Sequence, residues 1–140
     1  MATWSDLEVE LGAWSVAGRE ATLWWRDDDV THPTPALERL LNIAAANYVP
    51  VCLAVIPAAA HPGLKALLKS SADVAIAVHG ISHENFAEPG EKKCELVEGR
   101  SPQMLASQLH QGFETLGALV GDHTIPIVVP PWNRIAESLL

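Results

Sequence analysis

The sequence predicts an α/β fold in which parallel strands alternate with helices. Short apolar segments of strand length are separated by amphipathic segments with helical periodicity, an alternation typical of parallel sheets. Polar or proline-rich clusters at 27–29, 79–85 and 130–133 follow the carboxyl ends of three predicted strands. Parallel α/β proteins place their active sites at those ends. We therefore expect the three clusters to meet at one rim of the sheet.

Local signals define each predicted element. Ser5 opens an N-terminal helix because a glutamate three residues later completes a capping box, and residues 1–18 form a helical extension. Thr34 caps the next helix with Pro35 at its first position, and Ser101 repeats that signal. Each strand is a short apolar run. In chain order we predict strands at 21–26, 49–56, 73–78 and 125–129, helices at 5–18, from 34, at 63–69 and from 101, and a long loop at 84–100.

Composition predicts a single domain, 1–140. The chain has 140 residues, of which 49% are hydrophobic, and a formal net charge of -8. This charge argues against nucleic acid or an anionic membrane as a partner, because both require clustered Lys and Arg. No signal-peptide pattern or membrane-length apolar run is visible, so we expect a cytoplasmic protein. Cys52 and Cys94 do not suggest a disulfide scaffold.

The acidic run 27–29 and a later histidine pair predict a metal site. Three adjacent carboxylates repel one another, and a bound cation would remove much of that cost. His79 and His83 are four residues apart, a spacing that lets both rings reach one ion. One aspartate would complete three protein ligands, and a second could act as general base. We expect Glu84 and Asn85 to support the ligands.

Other residues near these clusters receive structural interpretations. Trp24 and Trp25 are expected in the core, and Arg26 is expected to pair with the acidic run and limit its repulsion. The remaining histidines show no metal-binding context and are expected at the surface or in loops: His32, His61, His110 and His123.

Three segments resemble motifs of the polysaccharide deacetylase family, the metal-dependent carbohydrate esterases of family four. They are 26–30 (Arg-Asp-Asp-Asp-Val), 79–85 (His-Gly-Ile-Ser-His-Glu-Asn) and 129–132 (Val-Pro-Pro-Trp). The resemblance implies a distorted (β/α)7-type barrel, of which this divergent chain supplies about half. It also implies removal of acetyl groups from a carbohydrate and a divalent metal, zinc before cobalt or nickel.

The resemblance also assigns roles to individual residues. Asp28 aligns with the catalytic base, and Trp132 with the aromatic residue whose backbone N–H stabilises the oxyanion and whose ring, with Pro131, contacts substrate. A register one residue earlier would make Asp27 the base and Asp28 a ligand. The arginine of the third motif falls on Val129, and Arg134 is the suggested substitute. The metal ligands implied by the first register are Asp29, His79 and His83.

Two later family motifs have no counterpart in this chain. In the family they supply a pocket for the acetyl methyl group and a histidine that acts as general acid. The alternative to a hydrolase is therefore a catalytically incomplete metal- and sugar-binding module or a truncated pseudo-enzyme. A metal-dependent phosphoesterase is a more distant alternative, which no Gly-rich phosphate loop supports. A half barrel also leaves a strand edge open, so we expect a homo-oligomer that covers it.

Overall fold

Four parallel strands alternate with helices, as predicted. The computed structural model describes residues 2–69, 71 and 73–140. The strands pair in the order β1-β2-β3-β4, and each pair is parallel. The strands are β1 (Trp25–Val30), β2 (Val51–Val55), β3 (Val74–His79) and β4 (Thr124–Val129). The α-helices are α1 (Trp4–Val16), α2 (Pro35–Ala46), α3 (Gly63–Leu68) and α4 (Pro102–Val120).

Helices α2, α3 and α4 pack on one face of the sheet. The largest buried cluster lies between them and the strands. Leu53 of β2, Ile76 of β3 and Leu116 of α4 are each 0% exposed within it. Burial of a Leu or Ile side chain stabilises a fold by about 1.5–3 kcal/mol, so this layer fixes the sheet that carries the rim.

The helix caps explain where the helices begin. Thr34 and Ser101 cap α2 and α4 as predicted, and each accepts a hydrogen bond from a backbone N–H of the first turn. The predicted start of α1 at Ser5 is wrong, because Thr3 is the cap and forms a capping box with Asp6. None of the described residues of α1 is buried, and its assignment as an extension stays a prediction. Within the described ranges we find no helix with the length and apolar character needed to cross a bilayer.

The first strand lies later in the sequence than predicted. β1 begins at Trp25, whose backbone N–H donates to the carbonyl of Pro50, so the predicted strand at 21–26 is wrong. The acidic run therefore forms the last part of the strand instead of following it. β1 is an edge strand in which only Val30 is buried. The prediction that Trp24 and Trp25 lie in the core is also wrong, since they are 55% and 40% exposed.

The second face of the sheet is lined by small and apolar side chains. Cys52, Ala54, Ala77 and Val129 form a separate buried cluster there. A groove of about 460 Å³ runs along this face between Trp24 and Pro130. We call this surface the inner face, because the corresponding face of a closed barrel points inward. Arg26 also lines the groove, so the inner face leads from apolar strand residues to charged ones near the rim.

Candidate metal centre

The structure brings together the three side chains predicted to bind a metal. Asp29 comes from the end of β1, His79 from the end of β3, and His83 from the loop after β3. Oδ1 of Asp29 lies 3.0 Å from Nε2 of His79 and 2.9 Å from Nε2 of His83. All three potential ligand atoms lie within 4.8 Å of one another. This geometry favours the register in which Asp29, and not Asp28, is the ligand.

A β-bulge in β1 turns Asp29 toward the histidines. Asp27 faces Leu53 of β2 and Val30 faces Val55, so β1 has one more residue than β2 between the two pairs. Asp29 has a φ of 61°, a left-handed conformation that costs about 1–2 kcal/mol for most residues and that Asp adopts more readily. Bulges beside active sites commonly redirect a side chain in this way.

A hydrogen bond orients the ring of His79. Its Nδ1 lies 2.9 Å from the carbonyl oxygen of Val129. Because a carbonyl oxygen only accepts, Nδ1 carries the hydrogen and donates it. If the ring carries only this hydrogen, Nε2 directs a lone pair toward Asp29. His79 is 2% exposed, so packing holds the ring in this orientation.

The chemistry of these three groups fits a bound cation. The Nε2 atoms of His79 and His83 face the same carboxylate oxygen of Asp29. Lone pairs that face one another repel unless a proton or a metal ion lies between them. Imidazole nitrogens and a carboxylate are preferred ligands of zinc-type ions. The Asp29 side chain is 65% exposed, which leaves room for water or substrate at an ion held there.

Gly80 allows the loop after β3 to pass close to two other segments. Its φ is 62°, and a Cβ atom there would collide with the carboxylate of Glu95 and the ring of Pro131. Glycine meets both requirements because it has no Cβ and adopts positive φ freely. Pro131 is fully buried beneath this loop. The predicted contact of Pro131 with substrate is therefore not available to its ring in this structure.

Glu95 supports the loop that contains His83, a role that the sequence does not predict. It lies in the segment 84–100, which was predicted only as a long loop. Its carboxylate accepts hydrogen bonds from the backbone N–H groups of Ile81, Ser82 and His83. The sequence offers one local sign of burial, the apolar residues that follow it at 96–97.

The supporting roles predicted for Glu84 and Asn85 are not observed. Both side chains are exposed. Oδ1 of Asn85 accepts hydrogen bonds from the backbone N–H groups of Ala87 and Cys94. Asn85 therefore closes a turn within the segment 84–100 instead of orienting a metal ligand.

Arg26 holds Asp28 in place. Nε and Nη2 of Arg26 donate to Oδ1 and Oδ2 of Asp28 at 2.8 and 3.1 Å. Nη2 also donates to Oδ1 of Asn133 at 2.8 Å. The expected pairing of Arg26 with the acidic run is thus observed. The suggestion that Arg134 replaces the family's arginine is not supported, because its guanidinium donates to the carbonyl of Lys93.

The acidic run places each aspartate in a different environment. Asp29 faces the histidines, and Asp28 faces a guanidinium. Burial raises the pKa of Asp27, and the negative charges of Asp28 and Asp29 raise it further. The three adjacent carboxylates therefore differ in environment, because their side chains face different groups.

Trp132 lies beside the candidate metal ligands. Its ring packs against the imidazole of His83, with the ring centroids 4.3 Å apart and the planes tilted by 53°. The ammonium group of Lys93 lies 5.8 Å from the centre of the indole. Trp132 has a φ of 53°, so the turn after β4 bends sharply at this residue. The side chain predicted to wall the site is therefore at the site.

Comparison with solved structures identifies the fold. No protein-family model matches the chain, and no curated protein matches it in sequence. The Xyl-CE4 domain of a multidomain xylanase from the hindgut metagenome of Trinervitermes trinervoides aligns with a TM-score of 0.60 and 13% identity, covering 83% of this chain and 51% of that one. A family 4 acetyl xylan esterase from Clostridium thermocellum, in complex with a cobalt ion, aligns with a TM-score of 0.58 and 16% identity over the same shares, 83% and 51%.

A third solved structure gives the same result. A CE4 esterase from Streptococcus mutans aligns with a TM-score of 0.53 and 16% identity, covering 76% of this chain and 42% of that one. The chain thus has the fold of the CE4 structures over a part of their barrel, which confirms the predicted fold and the family resemblance in structure. It spans about half the length of the structures it matches.

Proposed function

We propose that this chain is part of a metal-dependent hydrolase that removes acetyl groups from a carbohydrate. The observation that carries the proposal is the convergence of Asp29, His79 and His83 at one rim of the sheet. The fold supports it, because the solved structures with this fold include an acetyl xylan esterase and a deacetylase. At 13–17% identity those names do not transfer by themselves, so the chemistry must come from the residues of this site.

Asp29, His79 and His83 would hold the metal ion. A divalent ion bound there supplies Lewis-acid activation of water and of a carbonyl oxygen. Two imidazoles and one carboxylate suit zinc best, and cobalt or nickel accept the same ligands. The ring of His79 needs little reorientation on binding, because Val129 already fixes its tautomer.

The residues around the ligands would carry the proton transfer and the charge stabilisation. Asp28 would accept the proton of the attacking water, with its carboxylate held in one orientation by Arg26. The backbone N–H of Trp132 would donate to the acetyl oxygen as negative charge develops on it. The indole ring beside His83 would form one wall of the sugar site.

An acetate-release assay tests this assignment. The chain would be stripped with a chelator, reloaded with zinc, and given acetylated xylooligosaccharides and N-acetylglucosamine oligomers. Asp28→Asn should lower acetate release by about 10²- to 10⁴-fold, the usual contribution of a general base, while zinc remains bound. Asp122→Asn, an exposed position in the turn between α4 and β4, is the matched control and should behave like the wild type. Equal rates for Asp28→Asn and the wild type would reject Asp28 as the base.

A second candidate function is a metal- and sugar-binding module without turnover. Binding alone needs only the metal ligands and a surface for the sugar, and the three ligands and the ring of Trp132 beside them lie together at the rim. The same assay separates the two candidates: zinc and sugar binding without acetate release supports the module and contradicts the hydrolase. A cytoplasmic location and the exclusion of nucleic acid and membrane partners stay predictions from the sequence.

A further inference from the structure

We propose that Glu95 is a positioning residue of the metal centre, which holds the backbone around His83 in the conformation that binds the ion. The inference rests on the proposed function, because it assumes that Asp29, His79 and His83 bind a metal. Glu95 acts through the loop after β3 and not through the ion itself. His79 lies within a paired strand, whereas His83 lies in that loop, so His83 is the ligand that needs such support.

The carboxylate of Glu95 collects the hydrogen-bond donors of the loop. Oε2 accepts from the N–H of Ile81 at 2.9 Å. Oε1 accepts from the N–H and the hydroxyl of Ser82 at 2.8 and 3.2 Å, and from the N–H of His83 at 3.0 Å. Three consecutive backbone N–H groups thus converge on one anion, the arrangement of an anion-binding nest. The anion in this nest belongs to the chain.

Because the Glu95 carboxylate is buried, its hydrogen bonds determine the conformation of the loop after β3. Glu95 is 0% exposed, so its carboxylate has exchanged water for the four donors of the loop. A carboxylate left without those donors would be strongly unfavourable in this position. The loop and Glu95 therefore depend on each other, and the loop conformation with these N–H groups turned inward is the one that satisfies the carboxylate.

The same loop contains two residues with a left-handed backbone. Gly80 and His83 both have a φ of 62°. Gly80 adopts this conformation without penalty, but His83 does not. The hydrogen bond from the N–H of His83 to Glu95 compensates for that conformation. It therefore helps to direct the imidazole toward Asp29.

Glu95 is itself anchored to a helix. Nη1 of Arg100 donates to the carbonyl of Glu95 at 3.2 Å, and Nη2 donates to Oε1 of Gln108 on α4 at 3.1 Å. The guanidinium of Arg100 also lies over the ring of Phe86, 4.4 Å from its centre. A series of contacts therefore connects α4 to His83 through Arg100 and Glu95. These contacts fix the position of the loop after β3 relative to α4.

Zinc titration of Glu95→Gln tests the proposal. The amide keeps the volume of the side chain but replaces one acceptor oxygen with an NH₂ group, which faces an N–H of the loop. We expect zinc affinity to fall by about 10- to 100-fold, the usual effect of removing a group that orients a ligand. The visible spectrum of the cobalt-loaded protein should also change, because the His83 geometry changes. Glu98→Gln, an exposed position in the same segment, should leave both unchanged.

The outcomes separate this inference from the proposed function. If the wild type binds no zinc or cobalt, the metal site itself is rejected. If the wild type binds but a folded Glu95→Gln protein has the same affinity and cobalt spectrum, only the role of Glu95 is rejected. Amide hydrogen exchange of the metal-free wild type gives a test that needs no variant. Slow exchange at residues 81–83 is expected, and exchange at the rate of an open loop would overturn the proposal.

Discussion

At the scale of single residues, the candidate metal centre depends on contacts between residues that are far apart in the sequence. The type and spacing of His79 and His83 predict a metal site that one aspartate of the acidic run completes, and the family resemblance implies that this aspartate is Asp29. It could not predict that Glu95 supports the histidines, because a buried carboxylate is recognised only from the donors that surround it. The pairing of Arg26 with the acidic run was predictable from adjacency, whereas its bond to Asn133 joins residues 107 positions apart.

Arg26→Lys tests the orientation of Asp28. Lysine keeps the positive charge but cannot form the two parallel bonds to Asp28 or the added bond to Asn133. We expect the rate of acetate release to fall about tenfold, which corresponds to an increase of about 1.4 kcal/mol in the activation free energy. Zinc affinity should be unchanged. The free energy of unfolding should change by less than about 1 kcal/mol, because both side chains are about one third exposed.

Arg39→Lys provides the matched control for this prediction. Arg39 is an exposed residue of α2, so the same substitution there should alter neither acetate release nor zinc affinity. If Arg26→Lys and Arg39→Lys release acetate at the same rate as the wild type, the bidentate contact has no part in catalysis.

At the scale of elements, the helices were easier to predict than the first strand. Thr34 and Ser101 are local capping signals, and the structure confirms both as N-caps. The prediction of a strand at 21–26 is wrong because the apolar side chains there are not buried: Leu23, Trp24 and Trp25 are 71%, 55% and 40% exposed. The position of β1 depends on pairing with β2 and on the bulge at Asp29, neither of which has a local sequence signature. The rim was nevertheless predicted, because the acidic run still lies at the carboxyl end of β1.

Gly80→Ala tests how tightly three segments meet beneath the metal site. The added methyl group would collide with Glu95 and with Pro131 in a backbone conformation that alanine disfavours. We expect the free energy of unfolding to fall by about 2 kcal/mol or more, because alanine is strained at positive φ and its methyl group overpacks the site. Zinc affinity should also fall. Thermal and urea unfolding of the metal-free protein measure the first effect.

Gly117→Ala is the control for that substitution. Gly117 lies within α4, and a Cβ atom there would meet nothing within 4 Å. Alanine in a helix interior should raise the free energy of unfolding by about 0.5–1 kcal/mol. A Gly80→Ala protein as stable as the wild type would contradict the close packing of Gly80, Glu95 and Pro131.

At the scale of the whole molecule, the sheet has two edge strands, β1 and β4, within the part of the chain that the structure describes. Among the described residues, β1 pairs only with β2 and β4 only with β3. The inner face exposes apolar side chains between these edges, including Ile127, which is 51% exposed. The parallel α/β order was predictable from the alternation of strands and helices. The exposure of the inner face could not be predicted, because it depends on which strands pair with which, and the sequence pattern does not specify that order.

We expect the 140-residue chain to associate with a second copy, which would cover an edge strand and the apolar inner face beside it. Light scattering coupled to size-exclusion chromatography should give a molar mass above that of a single chain. This mass should rise with protein concentration. Ile127→Glu places a charge on the inner face and should shift the protein toward the monomer. Val9→Glu, at a 74% exposed position of α1, should have no effect. A monomer at every concentration for the wild type would contradict this expectation.

The central claim is that Asp29, His79 and His83 form one metal site, and zinc titration of the chelator-treated protein tests it most directly. The account predicts one zinc ion per chain in the wild type and loss of binding in Asp29→Ala and His83→Ala. His110→Ala, an exposed position on α4, should bind like the wild type. A wild-type chain that binds no zinc, cobalt or nickel, or an Asp29→Ala chain that binds zinc as tightly as the wild type, would contradict it.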